Sequence, residues 1–473
     1  MRAALLVAPL GLALGIVVGV HGSTQAPPPG SVAAVYDSLC ANCHGPRLQG
    51  GGQGPSLVDD EWKHGRTDAD IARVIRDGVA GTPMVSFRPV LSDQQIRALV
   101  IYVREMQDRA RSGTLPSGPP PMPSRFESER HAFAVETVAE DLDTPWGLEF
   151  LPGGDLLVSE RPGRLRIVGN GRVREVSGVP DVWVRQDGGL MDIAVHPRFA
   201  ENGWLYVAFS EAGTRAGTSS TRIVRATLRD DALTEVKTLF RPAEALYWDN
   251  NTHFGARFLF DRDEYLFFSI GDRGHMRDAQ DLASPYGKLH RVHDDGRVPS
   301  DNPFAGRADV VGSIWSYGHR NQQGLAFDPR TGDLWATEHG PRGGDELNRV
   351  VKARNYGWPV VTHGMNDNGT PITDLTEQAG MEPPVVHWTP SIAVAAIAFY
   401  EGNRFPRWQH DLLVTALAGQ QLRRLEIRDG NVTHQEVLMR GYGRVRDVAV
   451  GPDGLVYLAL NDPGRIVRLV PVN

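Results

Sequence analysis

Cysteine is almost absent from this chain: 473 residues contain two. That excludes a disulfide framework and any zinc site built from two cysteine pairs. Charge of one sign is not concentrated anywhere. Lys and Arg number 50 against 57 Asp and Glu, for a net charge of −7 with no basic block, which excludes nucleic acid as the main partner. Beyond Val20 no apolar run approaches the length of a membrane span. Helical periodicity is scarce past residue 131 or so, which excludes a large helical domain there. The remaining composition, 23% charged and 41% hydrophobic, is that of ordinary globular protein, long enough for two or three domains.

Both cysteines lie in one run, Cys40-Ala41-Asn42-Cys43-His44. The C-x-x-C-H spacing is that of covalent haem c attachment, with thioethers from Cys40 and Cys43 and an axial imidazole from His44. A zinc half-site or a redox cysteine pair is the competing reading. Met84, in Gly81-Thr82-Pro83-Met84, supplies the natural sixth iron ligand. Met106 continues the apolar stripe of a helix and reads as core. Three helical patterns frame the motif. One runs from Val32 to Leu39, a second follows a capping box at Thr67 and Asp70, and a third opens at Ser92 with Gln95 three residues on. From Ser31 to Asp108 the chain resembles class I cytochrome c.

Ahead of it, Met1-Arg2 and an uncharged stretch from Ala3 to Val20 read as an export signal ending near Ala26, with an uncleaved anchor as the alternative. A bacterial, exported, periplasmic protein is the expectation. Between Ser112 and Ser124 five prolines with Gly and Ser form a semi-rigid linker. The expected organisation is a signal peptide over 1–26, a cytochrome domain over 27–110, a linker over 111–130 and a second domain over 131–473.

The second domain reads as mainly β. An apolar strand, a turn rich in Pro, Gly, Asp or Asn, and a second apolar strand recur at 147–158, 190–197, 256–268, 324–337, 396–414 and 445–458. Six such phrases predict a six-bladed β-propeller rather than a sandwich, with its chemistry in the loops of one face.

Four loop phrases carry residue types that no core requires: Ser316 to Gly324 around Gly318-His319-Arg320-Asn321, Glu338-His339-Gly340-Pro341-Arg342-Gly343-Gly344-Asp345-Glu346, Asn355-Tyr356-Gly357-Trp358-Pro359, and Arg444-Val445-Arg446-Asp447. On these phrases the stretch from Trp146 to Leu469 resembles the soluble quinoprotein aldose dehydrogenases, the glucose/sorbosone dehydrogenase family that uses pyrroloquinoline quinone (PQQ). PQQ carries three carboxylates and an ortho-quinone, so its site needs cations and a polarising group. The resemblance implies that Arg320 and Asn321 hydrogen-bond the quinone carbonyl and that Arg444 and Arg446 meet carboxylates. As residues two apart on a strand, the last pair would share a face; a solvated strand face is the plain alternative. His253, in Asn251-Thr252-His253-Phe254-Gly255, matches the general base that takes the proton of the anomeric hydroxyl. His319 and His339 read as lining residues. The resemblance also implies a Ca²⁺ bridging PQQ and the carbonyls of Gly340 and Pro341, and a second Ca²⁺ at Glu346 and the backbone of Tyr356.

Two departures stand out. Relatives often carry Gly-Gln-Gly-Gly-Leu where this chain has Arg185-Gln186-Asp187-Gly188-Gly189-Leu190, so Asp187 takes the position that touches PQQ. A lysine that some relatives place near Ala416–Gln420 is missing. The implied function is oxidation of the C1 hydroxyl of an aldose to the lactone, with electrons passing through the fused haem to a periplasmic cytochrome or oxidase. A non-sugar alcohol or aldehyde substrate, a calcium propeller hydrolase, and a propeller that binds without cofactor are the rival readings.

Overall fold

The computed structural model describes residues 31–50, 54–59, 61–112 and 122–472. The export segment and most of the proline-rich stretch lie outside them. Among the described residues no helix is long and apolar enough to cross a membrane.

The first domain is helical. Helix α1 (Val32–Leu39) is capped by Ser31, whose Oγ accepts from Ala34 N. The one-turn α2 (Ala41–His44) holds the cysteine motif. Helix α3 (Asp68–Asp77) starts at the Thr67/Asp70 capping box, each side chain accepting the other's backbone N–H at 3.1 Å. Helix α4 (Asp93–Ser112) is preceded by the same device, Ser92 N to Gln95 Oε1 at 2.9 Å and Gln95 N to Ser92 Oγ at 3.2 Å. Ile96, Leu99 and Val103 of α4 pack against Val32 and Tyr36 of α1 in one cluster, which Cys40 and Met106 flank. Each fully buried aliphatic side chain there contributes roughly 1.5–3 kcal/mol.

The rest is a six-bladed propeller. Five of the six predicted phrases supply the two innermost strands of one blade, while 190–197 supplies only the innermost strand of blade 2, whose partner follows at Trp204–Ala212. Blade 1 runs from Pro145 to Val176, blade 2 from Leu190 to Phe240, blade 3 from Phe258 to Tyr317, blade 4 from Gln322 to Trp388 and blade 5 from Val394 to Arg440. All are four-stranded and antiparallel in chain order. Blade 6 takes Val445–Val450, Val456–Leu460 and Arg465–Val472 from the C-terminal end, then Ala132–Ala139 and Phe126–Glu127 from just behind the linker. The ring is therefore closed by strand Ala132–Ala139 pairing with the last strand of the chain. Each innermost strand touches those of both neighbouring blades around the axis.

Five of the six innermost strands are bulged near their start, skipping Trp146-Gly147, Met191-Asp192, Gln323, Ala395-Ala396 and Arg446 in the ladder. A bulge re-aims a side chain that alternation would place elsewhere. Here it produces a polar axis. Arg257 Nη1 meets Asp192 Oδ1 and Asp447 Oδ1, each at 3.1 Å, and its guanidinium lies 4.5 Å over the Trp146 ring. The fully buried Arg257 thereby ties blades 1, 2, 3 and 6 together. Burial disfavours its charge, but the two carboxylates outweigh that and hold its pKa above the ordinary value.

Candidate active site and haem attachment site

In the helical domain Cys40 and Cys43 are both unpaired thiols, partly buried, one helical turn apart. Burial pushes the Cys40 thiol up to about 11, which is poor for a reactive thiolate and compatible with covalent attachment. His44 Nδ1 lies 2.9 Å from Pro55 O; a carbonyl only accepts, so the ring donates there and leaves Nε2 for an iron. Gly54 makes this approach possible, since a Cβ there would lie 2.9 Å from His44 Nδ1 and 2.8 Å from Cys43 O. Met84 sits half-buried on the α3–α4 loop, its carbonyl bonded by Val79 N at 2.9 Å.

In the propeller, the candidate residues come together at one end of the axis. His253 lies on the connection between blades 2 and 3 with φ of +53°, in the left-handed region. Its Nδ1 donates to Asp272 Oδ1 at 2.6 Å, and Asp272 Oδ2 accepts from Trp358 Nε1 at 2.7 Å. Asp272 is fully buried. Burial raises its pKa, but the bond from His253 and the field of Arg320 outweigh it and hold the carboxyl below its usual range. The carboxylate thus fixes the tautomer that leaves Nε2 free as a base. Arg273, also buried, clamps the same loop by donating to Thr252 O and Asn250 O. Gly271 lets the loop lie flat on the strand end, for a Cβ there would meet His253 O at 2.2 Å.

Arg320 and Asn321 enter from the connection between blades 3 and 4. Arg320 is anchored by its backbone N–H to Glu338 Oε2 (2.7 Å), by Nη1 to His339 O (3.2 Å) and by its guanidinium over Trp358 (5.4 Å). Asn321 Oδ1 accepts from Gly255 N and Gln323 Nε2, while no described residue accepts from its Nδ2. Arg446 Nη1 donates to Gln323 Oε1 at 2.8 Å, and its guanidinium sits 5.1 Å over Trp146. Burial, then Arg257 and Arg444, push Arg446 down to about 9. Arg444 is exposed at the rim. The two arginines do not share a regular strand face, because the ladder bulges at Arg446.

Asp187 is exposed, and its Oδ2 accepts from His253 N at 3.3 Å in the field of Arg273 and Arg446. The extra carboxylate is therefore compensated by two cations and helps set the His253 loop. Three buried polar atoms at the site have no hydrogen-bond partner among the described residues: Arg320 Nε, His339 Nε2 and Arg446 Nε. Burial and the surrounding arginines hold His339 well below its ordinary pKa, so it is neutral. Two half-buried guanidiniums without an ion-pair partner among the described residues, together with free donors, fit a polyanionic ligand with carbonyl oxygens.

Gly340 and Pro341 follow His339. Neither carbonyl receives a hydrogen bond from a described residue. Asp345 pins this loop, its carboxylate accepting from Gly340 N, Ser391 Oγ, Ile392 N and Val394 N at 2.8–3.1 Å. Glu346 and Tyr356 are brought together elsewhere, lining a cleft of about 330 Å³ with Thr362, Glu377 and Glu382. Burial and the neighbouring Glu338 push Glu346 well above the usual carboxylate range. His319 joins the two places. It stacks on Tyr356 with centroids 4.7 Å apart and meets Glu338 at 3.1 Å, the carboxylate that also anchors Arg320. Among the described residues no group of three His, Cys, Asp or Glu side chains is spaced to hold a metal by itself.

Asp272 and Arg273 escaped the sequence reading, and Trp358 stood in a phrase singled out without a role for its indole. The signal was the charged Gly271-Asp272-Arg273-Gly274 run directly after an apolar strand, which alone resembles any turn.

The family model for glucose/sorbosone dehydrogenase matches residues 142–468, and that for subunit III of cbb3-type cytochrome c oxidase matches residues 27–103. Aldose sugar dehydrogenase YliI of Escherichia coli (strain K12) is 40% identical over 348 residues, covering 72% of this chain and 93% of its own. The crystal structure of the soluble aldose sugar dehydrogenase from Escherichia coli in the apo-form superposes with a TM-score of 0.69 at 38% identity, over 72% of this chain and 100% of that one. The PQQ-bound aldose sugar dehydrogenase from Streptomyces coelicolor gives 0.60 at 30% identity, over 72% and 98%. With the ring, the loops and the buried cations in agreement, the chain belongs to the glucose/sorbosone dehydrogenase family, with a cytochrome c-type domain at its N-terminal side.

Proposed function

We propose that the propeller oxidises the C1 hydroxyl of an aldose to the lactone with PQQ and passes the electrons to haem c on the fused domain. The observation that carries this reading is an Asp-oriented histidine beside two half-buried guanidiniums, those of Arg320 and Arg446, that form no ion pair with any described residue. Arg320, Asn321 and Arg446 would hold the cofactor, with Arg444 at the rim and Asp187 beside the base. PQQ, when bound, supplies a quinone that accepts the hydride leaving C1.

The rest is the work of this chain. His253 Nε2 takes the hydroxyl proton, and Asp272 stabilises the imidazolium that forms. Arg320 offers positive charge where negative charge builds on the acceptor oxygen. The bases and cations lie among buried aromatic side chains, Trp146 and Trp358, which exclude water and strengthen each interaction. The free Gly340 and Pro341 carbonyls fit a hard cation such as Ca²⁺, and the cleft lined by Glu346 and Tyr356 would hold a second. Cys40, Cys43 and His44 fit haem c, with Met84 as the sixth ligand.

Haem attachment and the apolar first twenty or so residues support export to the periplasm, where a cytochrome or oxidase would take the electrons. The test is to add PQQ and Ca²⁺ to purified, haem-loaded protein without air and to follow the reduced-haem absorbance with a panel of aldoses, aldehydes and simple alcohols. Reduction by aldoses that requires PQQ and disappears in His253→Ala is expected. Reduction only by aldehydes or simple alcohols would replace the sugar, and failure to bind PQQ would overturn the reading.

A further inference from the structure

The helical domain is seated on the propeller beside the site. Glu105 on α4 accepts from Arg342, Nε to Oε1 at 2.7 Å with Nη2 on Oε2, and the two side chains are only 13% and 22% exposed. Arg97 Nη2 donates to Thr373 O at 2.8 Å, and Val32 N donates to Gly369 O at 3.2 Å. Met365 of the propeller is 1% exposed because it packs inside the cytochrome's own cluster, with Val32, Tyr36 and Ile101. The propeller side of this contact comes from two pieces, the Gly340–Gly344 loop and the segment from 351 to 385 between the third and fourth strands of blade 4. They are bridged to each other by Arg342 N to Met365 O (2.9 Å) and Met365 N to Arg342 O (3.1 Å).

We propose that this contact is the electron exit of the propeller, with Glu105 and Arg342 as positioning residues that hold the haem domain against the Gly340–Pro341 loop. The inference rests on the function proposed above. The geometry is continuous. Arg320, at the hydride acceptor's place, donates to His339 O; Gly340, Pro341 and Arg342 follow in the chain; Arg342 grips Glu105 of α4. On its other side α4 packs Leu99 and Val103 into the cluster that holds Cys40. The 351–385 segment also carries Trp358, whose indole N–H holds Asp272. A domain held in this way needs no search before each transfer. Each C1 oxidised releases two electrons and two protons, and a ferric haem takes one electron to become ferrous. An outside one-electron acceptor must therefore clear the haem between the two transfers.

The experiment uses the haem-loaded full chain as wild type, as Glu105→Arg, and as the double variant Glu105→Arg/Arg342→Glu. Three quantities are measured: haem reduction by an aldose after loading with PQQ and Ca²⁺, sugar oxidation by a small dye that takes electrons from the propeller directly, and small-angle scattering of the PQQ-free protein. Glu105→Arg should keep the dye-linked rate, slow haem reduction by about tenfold or more as expected for a reversed, mostly desolvated ion pair, and expand the particle. The double variant should recover both. Expansion with haem reduction at the wild-type rate would overturn the electron exit, and no change in either would overturn the contact itself. Loss of dye-linked oxidation in the wild type would instead overturn the underlying function, while scattering still reports on docking.

Discussion

His253 holds a backbone conformation that a β-branched or bulky residue rarely adopts, and it does so between two buried groups, Arg273 behind and Asp272 beside it. The strain is maintained because those partners over-determine the loop. Asp272→Asn keeps the shape but reverses the preferred tautomer, so kcat should fall by about 10²–10⁴-fold while PQQ still binds, measured by dye-linked turnover and cofactor titration. A second residue-scale prediction concerns the axis. Glu149 is pushed up to about 8 by burial and by Asp192 and Asp447, and Asp192 itself is raised to about 7. A carboxyl raised above its unfolded value of about 4.3 favours the protonated folded state. Its stabilisation is complete below that value and is lost as pH rises through the folded pKa. The unfolding midpoint should therefore fall between pH 5 and 8, and Glu149→Gln should flatten the slope. A variant with the wild-type slope would contradict the assignment.

At the scale of elements, the bulged innermost strands do the positioning. Trp146, Asp192, Gln323 and Arg446 are among the residues that the ladders skip, and they are linked near the axis through Arg257 and Arg446. The loop Gly340–Gly344 is held differently, by one carboxylate that gathers donors from the connection between blades 4 and 5. Asp345→Ala strands several buried N–H groups at once. It should cost about 3–5 kcal/mol in chemical unfolding and weaken Ca²⁺-dependent PQQ binding more than Asp345→Asn does.

What could be read from the sequence follows the same division. The six phrases were legible because the innermost strands are largely buried apolar runs bounded by turn residues; in blade 2, where a helical turn intervenes, the phrase caught only the first strand. The capping boxes at Thr67 and Ser92 were legible because they are purely local. For Arg444 and Arg446 the period-two rule does not apply directly, since Arg444 precedes the strand and the ladder skips Arg446, and nothing in the residue string marks such a bulge. Asp272 and Trp358 lie 86 positions apart and meet only through the blade 4 excursion, so no spacing could reveal them. The seating of Met365 among cytochrome side chains was hidden for the same reason.

For the whole molecule, the contact between domains rests, among the described residues, on one half-buried ion pair, two hydrogen bonds to carbonyls and an inserted methionine. Such a contact relies on the tether for its effective concentration. A protease site introduced within residues 113–121 gives the test. After cleavage, haem reduction should become dependent on protein concentration, whereas the uncut protein should show none. A cleaved protein that stays fast at high dilution would mean the contact suffices alone. The closing strand has a different consequence, one of timing. The helices of the haem domain lie within the first quarter of the chain and pack mainly on one another. The ring, however, needs Ala132–Ala139 to wait for Arg465–Val472, a pairing of very high contact order. Until Arg465–Val472 is available the ring stays open along Ala132–Ala139, so closure is the last long-range event in the folding of the propeller.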